Sequence, residues 1–282
     1  MIRTPPGWGA DMLTHAFHSF TTGRPGPVTR APESDTVRRI GLADLRWALA
    51  RGMEDFGASR TDVTFLCVIY PLVGLMLARV ASGYDMLPLV FPLASGFALL
   101  GPFAAVGLIE MSRQRSMGAP AGLGAAFAVF RSPAIGGILL LGGLLVGIFV
   151  FWLLIANAVY NLTLGPQPPA SLSSFAYDIV YTSAGWAMTV VGVGLGFVLA
   201  VAALVISVVS FPMLLDQNVS LETAIRTSAK VVARNPLVIG AWSLIVVVGL
   251  VLGSIPLLLG LIVVMPVLGH ATWHLYRRVV AN

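Results

Sequence analysis

Charge is scarce in this sequence: only 10% of its 282 residues are Asp, Glu, Lys or Arg, against 57% hydrophobic residues. Soluble domains carry about 25% charged residues. A water-facing surface could not be covered with so few, so lipid must serve as solvent over much of the chain. Cysteine is nearly missing as well. Cys67 stands alone, which excludes an internal disulfide and any cysteine-rich zinc or iron–sulfur site. It lies in an apolar run, and an inert buried thiol is expected. Histidine occurs four times, as His15, His18, His270 and His274. No apolar signal-peptide core precedes residue 37, and that stretch holds Pro5, Pro6, Pro25, Pro27 and Pro32. Residues 1–37 therefore read as a flexible cytoplasmic tail. The basic residues are scattered rather than clustered, so the positive net charge does not point to nucleic acid.

Long apolar runs are abundant. Six segments reach the roughly 20 residues needed for a crossing: about 62–80, 87–110, 133–157, 184–213, 237–254 and 256–276. Pro92, Pro102, Pro212 and Pro266 fall inside them, and each should free a carbonyl four residues earlier. Sixteen of the 17 basic residues fall on one side of this arrangement, Arg79 being the exception. That bias puts both termini in the cytoplasm. The expectation is an all-α membrane protein, with residues 38–280 forming a six-helix membrane domain.

Each pair of spans follows a segment with helical periodicity. In the first, Leu42, Leu45, Leu49, Met53 and Phe56 recur at three and four. In the third, Leu221, Ala224, Ile225, Ser228 and Val232 do so, with Ser220 as N-cap and Glu222 placed to pair with Arg226. The middle one, 118–130, is mostly Ala and Gly. "FRSPAIG" (130–136) and "ARNPLVIG" (233–240) end two of these segments alike. The pattern reads as three transmembrane hairpins, each preceded by a cytoplasmic amphipathic helix. The apolar faces of those helices meet either the inner leaflet or the bundle.

Four blocks carry a family resemblance: "DLRWALARGMEDFGASRTDVTFLCVIYPLVG" (44–74), "FPLASGFALLGPFAAVGLIEMSR" (91–113), "FPMLLDQNVSLETAIRTSAKVVARNP" (211–236) and "GLIVVMPVLGHATWHLYRR" (260–278). Together they resemble the bacterial integral membrane proteins grouped as domain of unknown function 2189. The resemblance covers about 38–280 and implies a multi-pass protein of the bacterial inner membrane. Some relatives are labelled cytochrome c oxidase subunit I. A core of that kind needs six histidine ligands, and four histidines are too few.

His270 and His274 share one helix face and could hold a metal if a third ligand joined them. Glu110 is the candidate, being three residues before Arg113 as His274 is three before Arg277; Asp216 is another. The competing reading has Trp273, His274 and Tyr276 as interface anchors and Glu110 paired with Arg113. "GVGLG" (192–196) lies mid-span and reads as close helix packing rather than a phosphate loop. No catalytic constellation or cofactor site emerges from the residues. Three functional readings stand: a non-enzymatic accessory, scaffolding or assembly protein; a transporter of a small neutral or lipidic solute; and a metal- or haem-binding protein on His270, His274 and Glu110. The expected partners are the lipid bilayer and other inner-membrane proteins or a respiratory complex.

Overall fold

The computed structural model describes residues 37–59 and 84–280, with scattered positions between them. Of the expected tail (1–37), residues 1–36 lie outside the described residues, as does most of the expected span at 62–80; Val37 is described and is buried. Among the described residues the protein is all-helical, and extended pairing is confined to one antiparallel bridge between Val37 and Val280.

Among the described residues, three helices are long and apolar enough to cross a membrane. They are α6 (Ile135–Thr163), the combined run of α8 (Ser183–Ser207) and α9 (Ser210–Asp216), and α11 (Pro236–Ser254). They coincide with the spans expected at 133–157, 184–213 and 237–254. Only 28% of the most apolar window of α6 and 17% of that of α11 is buried. Leu144, Phe151, Val190, Phe197, Leu244 and Val251 accordingly point outward, as lipid-facing helices require. The joint between α8 and α9 has a local cause. Pro212 cannot donate to the Val208 carbonyl, and the helix breaks at Val208 and Val209.

The span expected at 87–110 is not one helix. A 3-10 turn (Tyr84–Leu89) containing Pro88 leads into α2 (Val90–Leu99), α3 (Gly101–Ala104) and α4 (Val106–Ser116). Pro102 has no N–H for the Ala98 carbonyl, so α2 stops at Leu99 and Pro102 sits in the first turn of α3. The middle periodic segment gives only a short α5 (Leu123–Ala128) followed by a 3-10 turn. The segment expected at 256–276 begins its helix later, as α12 (Leu261–Val279), and Pro266 is accommodated within it. Residues 255–260 reverse the chain between α11 and α12. Gly260 and Gly253 touch there, and a Cβ on Gly260 would come within 2.7 Å of the Gly253 backbone.

The first periodic segment forms α1 (Leu42–Ala58), which packs on the bundle. It runs antiparallel to α12: Asp44 faces Arg278, and Gly52 faces Ala271 and Val267. Its buried seam is Leu45, Ala48, Gly52 and Asp55; of the expected apolar stripe, Leu45 is in this seam and Leu49 and Phe56 pack beside it. Leu42 and Met53 are 60% and 53% exposed. The seam is made of small residues because the two backbones approach closely. A Cβ on Gly52 would lie 2.6 Å from the Val267 carbonyl oxygen and 2.8 Å from the Ala271 Cβ. Val63 and Cys67 continue the contact, buried with Leu261, Met265, Ala105 and Leu108. The third helix, α10 (Leu221–Arg234), follows the sequence reading more closely. Ser220 Oγ caps it by accepting from the Thr223 N–H at 3.2 Å, and Glu222 pairs with Arg226 at 2.6 Å.

Asn235, at the α10–α11 joint, ties residues 38–40 to the bundle. Its Oδ1 accepts from the Ile40 N–H at 2.9 Å and its Nδ2 donates to the Arg38 carbonyl at 3.1 Å. Arg38 in turn donates to the Val279 carbonyl at 2.8 Å. Residues 37–58, the end of α4, Asp216, Asn235 and the end of α12 thus gather at one end of the bundle.

The close seam predicts opposite signs for two glycines of one helix. Gly52→Ala should lower the melting point of the detergent-solubilised protein, costing about 1–3 kcal/mol through overpacking. Gly57→Ala, whose Cβ would meet nothing within 4 Å, should raise it by about 0.5 kcal/mol through helix propensity. Equal effects at both positions would contradict the seam.

Candidate functional site

The polar side chains that sequence would nominate for chemistry converge where α1, α4 and α12 meet. Asp55 of α1 is at the centre, buried. Its Oδ2 accepts from Ser112 Oγ of α4 at 2.6 Å and from His274 Nε2 of α12 at 2.8 Å, and its Oδ1 lies 3.3 Å from Arg115 Nε. Ser112 Oγ is also 2.8 Å from His270 Nδ1. A hydroxyl has one proton, and Ser112 donates it to the carboxylate. His270 must therefore supply the N–H of its contact with Ser112, which fixes its tautomer with the proton on Nδ1. One carboxylate so collects donors from two other helices.

Burial by itself raises the Asp55 carboxyl pKa. The hydrogen bonds from His274 and Ser112, with the field of the two imidazoles, outweigh burial and hold it below the ordinary carboxylate range. The folded state therefore binds this proton less readily than the unfolded chain.

Around this centre lies a shell of arginine–aromatic contacts. The Arg278 guanidinium sits 4.0 Å over the Trp47 ring, and the His274 ring meets the same indole edge-on at 5.6 Å. A second cluster stands beside it. Tyr276 donates to Asp216 Oδ2 at 2.8 Å and accepts from Gln217 Nε2 at 2.9 Å, while Arg277 reaches Asp216 at 3.4 Å. An open cleft of about 270 Å³ separates the clusters, walled by Trp47, Trp273, His274, Arg113, Asp216 and Arg277.

His270, His274 and Glu110 do not form one ligand set. Glu110 is taken by Arg113, Nε at 2.7 Å and Nη2 at 2.8 Å, and by Gln114 at 2.8 Å. This is the local i,i+3 pairing that competed with the metal reading. The histidines turn instead to Ser112 and Asp55. Asp216 serves Tyr276 and Arg277. Among the described residues no group of three or more His, Cys, Asp or Glu could hold a metal ion. The Ser, His and Asp do not form a nucleophilic triad either. In a triad the imidazole stands between hydroxyl and carboxylate; here the hydroxyl stands between imidazole and carboxylate. Ser112 is moreover only 1% exposed. What the arrangement does chemically is clamp three helices. In "GVGLG", Gly196 takes the edge of the Trp152 ring, whereas Gly192 and Gly194 meet nothing within 4 Å. The close packing expected along this run is confined to Gly196.

Asp55 is the residue that sequence reading missed. The available signal was the 3-4-3 spacing of Leu45, Ala48, Gly52 and Asp55, which puts the acid on the seam of small residues.

Asp55→Ala should cost about 3 kcal/mol, the scale for removing one partner of a buried charge cluster. Glu54→Ala, at an exposed neighbour paired only with Arg51, should stay within about 0.5 kcal/mol. The pH dependence follows in sign. A carboxyl with a depressed folded pKa contributes stability that is fully present above its unfolded pKa of about 3.9 and is lost as pH falls through the folded value. The melting point of the wild type should therefore fall more steeply below about pH 4 than that of Asp55→Asn. Parallel curves would remove the clamp from the account.

No curated protein and no solved structure matches the chain. The family finding covers α2 to α9, so it takes in Glu110, Ser112, Arg115 and Asp216 but neither Asp55 nor the two histidines of α12. Over residues 90–216 the chain matches the family described as predicted integral membrane protein, DUF2189.

Proposed function

We propose that this chain is a multi-pass protein of the bacterial inner membrane that serves as a non-enzymatic accessory, scaffolding or assembly factor for other membrane proteins. In this reading it crosses six times as three hairpins, with both termini in the cytoplasm. The gathering of Arg38, Arg115, Arg277 and Arg278 at one end of the bundle supports the orientation, because basic residues are retained on the cytoplasmic side. The end at which residues 37–40 meet residues 279–280 is then the cytoplasmic one.

The observation that carries the functional reading is the clamp. Asp55, Ser112, His270 and His274 are spent on holding α1 to α4 and α12. Their geometry fits a rigid cytoplasmic platform above lipid-embedded helices. On that platform, Arg51 and Glu54 remain at the surface with the cleft lined by Arg113, Asp216 and Arg277. A mixed-charge surface of this kind suits recognition of a protein partner more than sequestration of a solute.

Purification through a C-terminal tag in mild detergent, followed by quantitative mass spectrometry, tests the proposal. Stoichiometric co-purification of one or more inner-membrane proteins is expected. Arg51→Glu, in a pair of which both members are more than half exposed, should reduce that recovery while costing no more than about 1 kcal/mol of stability. A monodisperse protein that recovers no partner in stoichiometric amount would contradict it.

A further inference from the structure

The connection between α6 and α8, which lies between two expected spans and carries Pro166, Pro168 and Pro169, contains a helix, α7 (Leu172–Tyr181). Ser171 caps it: its Oγ accepts from the Ser174 N–H at 3.0 Å, and Ser174 Oγ accepts from the Ser171 N–H at 3.1 Å. The helix bridges the ends of two spans. Phe175 meets Tyr160 of α6 with ring centroids 6.2 Å apart. The backbone at Asp178 and Ile179 abuts Gly185 of α8 so closely that a Cβ there would clash.

The polarity of α7 is inverted. Its outward face is Leu172, Ser173, Ala176, Tyr177, Val180 and Tyr181, all exposed and apart from Ser173 apolar or aromatic. Its only charged residue, Asp178, is on the half-buried side. A helix bordering water shows the reverse arrangement. Trp186, at the start of α8, extends the same surface and is exposed, with its indole N–H bonded to the Val180 carbonyl at 3.0 Å.

Depth points the same way. From Ile135 to Tyr160, α6 rises about 37 Å, more than the roughly 30 Å of a hydrocarbon core. With the Arg131 end of α6 at one headgroup layer, Tyr160 and the helix seated on it fall at the opposite one. Aromatic rings are favoured at that level. Residues 132–225 contain no Lys or Arg, so attraction to anionic lipid is not what would hold the helix there; apolar burial is.

We propose that α7 is an interfacial helix, lying in the headgroup–acyl boundary of the leaflet opposite the arginine-rich end with Leu172, Tyr177, Val180 and Tyr181 toward lipid. The occupant of this face is phospholipid, continuous with the lipid against the outer faces of α6 and α8. The inference rests on the membrane reading above and adds a lipid-binding surface to it.

The test uses the full chain with Cys67→Ala, reconstituted in vesicles of phosphatidylethanolamine and phosphatidylglycerol. An environment-sensitive fluorophore is attached to Tyr177→Cys or, separately, to Leu172→Cys. Leu144→Cys on the outer face of α6 reports the bilayer interior, and Glu222→Cys on the exposed face of α10 reports water. At 177 and 172 the emission should be blue-shifted relative to 222. Nitroxide lipids labelled near the headgroup should quench it more than those labelled at the chain end, and aqueous iodide should quench it weakly. Strong iodide quenching at 177 and 172, with 144 still quenched by chain-end nitroxide, would overturn the proposal and leave the spanning reading intact. So would shielding from both iodide and nitroxide lipid, which would mean that protein covers the face. Failure of chain-end nitroxide to quench position 144 would overturn the membrane reading itself, and α7 with it.

Discussion

Asp55 is the point on which the described architecture turns. Its carboxylate takes donors from α4 and α12 at once, and the small seam beneath it, Ala48 and Gly52, lets the α12 backbone come within contact. Either feature alone would leave α1 free to lie elsewhere. A close seam without the carboxylate would leave His274 without its partner and Ser112 with His270 alone. A carboxylate without the seam could not reach them. Together they fix α1 antiparallel to α12, and residues 37–40 then fall beside Asn235 and Val279, where backbone and amide hydrogen bonds are available.

Two solvents explain the division of the molecule. The long helices α6, α8 and α11 are apolar all round and leave large side chains outside, as helices in hydrocarbon do. The layer of α1, α4 and the end of α12 is different. It mixes apolar seams with buried Asp, Ser and His, and its outward Arg side chains lie over the rings of half-buried Trp47 and buried Trp273. A polar core of this type is costly unless its members are satisfied. The hydrogen bonds centred on Asp55 satisfy most of them in one cluster, which is why it holds helices from distant parts of the chain.

How much of this was legible depended on whether the signal was local. The three long spans stand out because hydropathy sums over twenty residues and needs no partner. Ser220 as N-cap and the Glu222–Arg226 pair were legible for the same reason: both are made within one turn. The region 87–110 misled because its mean hydropathy is high while Pro88, Pro92 and Pro102 remove backbone donors, and a window average does not register a missing N–H. The leucine stripe of α1 misled in the opposite way. Periodicity found the helix and, in Leu45, Leu49 and Phe56, part of its packed face, but not that close packing would turn Leu42 and Met53 outward and put Ala48 and Gly52 in the seam. His270 and His274 were rightly placed on one face. Their partners were beyond reach, because Asp55 and Ser112 lie 158 to 219 residues away in sequence. The helix α7 was hidden by the prolines before it, although Ser171 and the spacing of Leu172, Phe175 and Ile179 carry its signature.

Hydrogen exchange of the intact protein in lipid nanodiscs tests the docking of α1 most directly. If the clamp holds, backbone amides of residues 45–56 exchange as slowly as those of residues 268–277, since opening one helix requires opening the other. Rapid exchange through α1 beside full protection in α12 would mean that α1 is a free surface helix, and the clamp would then not be what organises this end of the molecule.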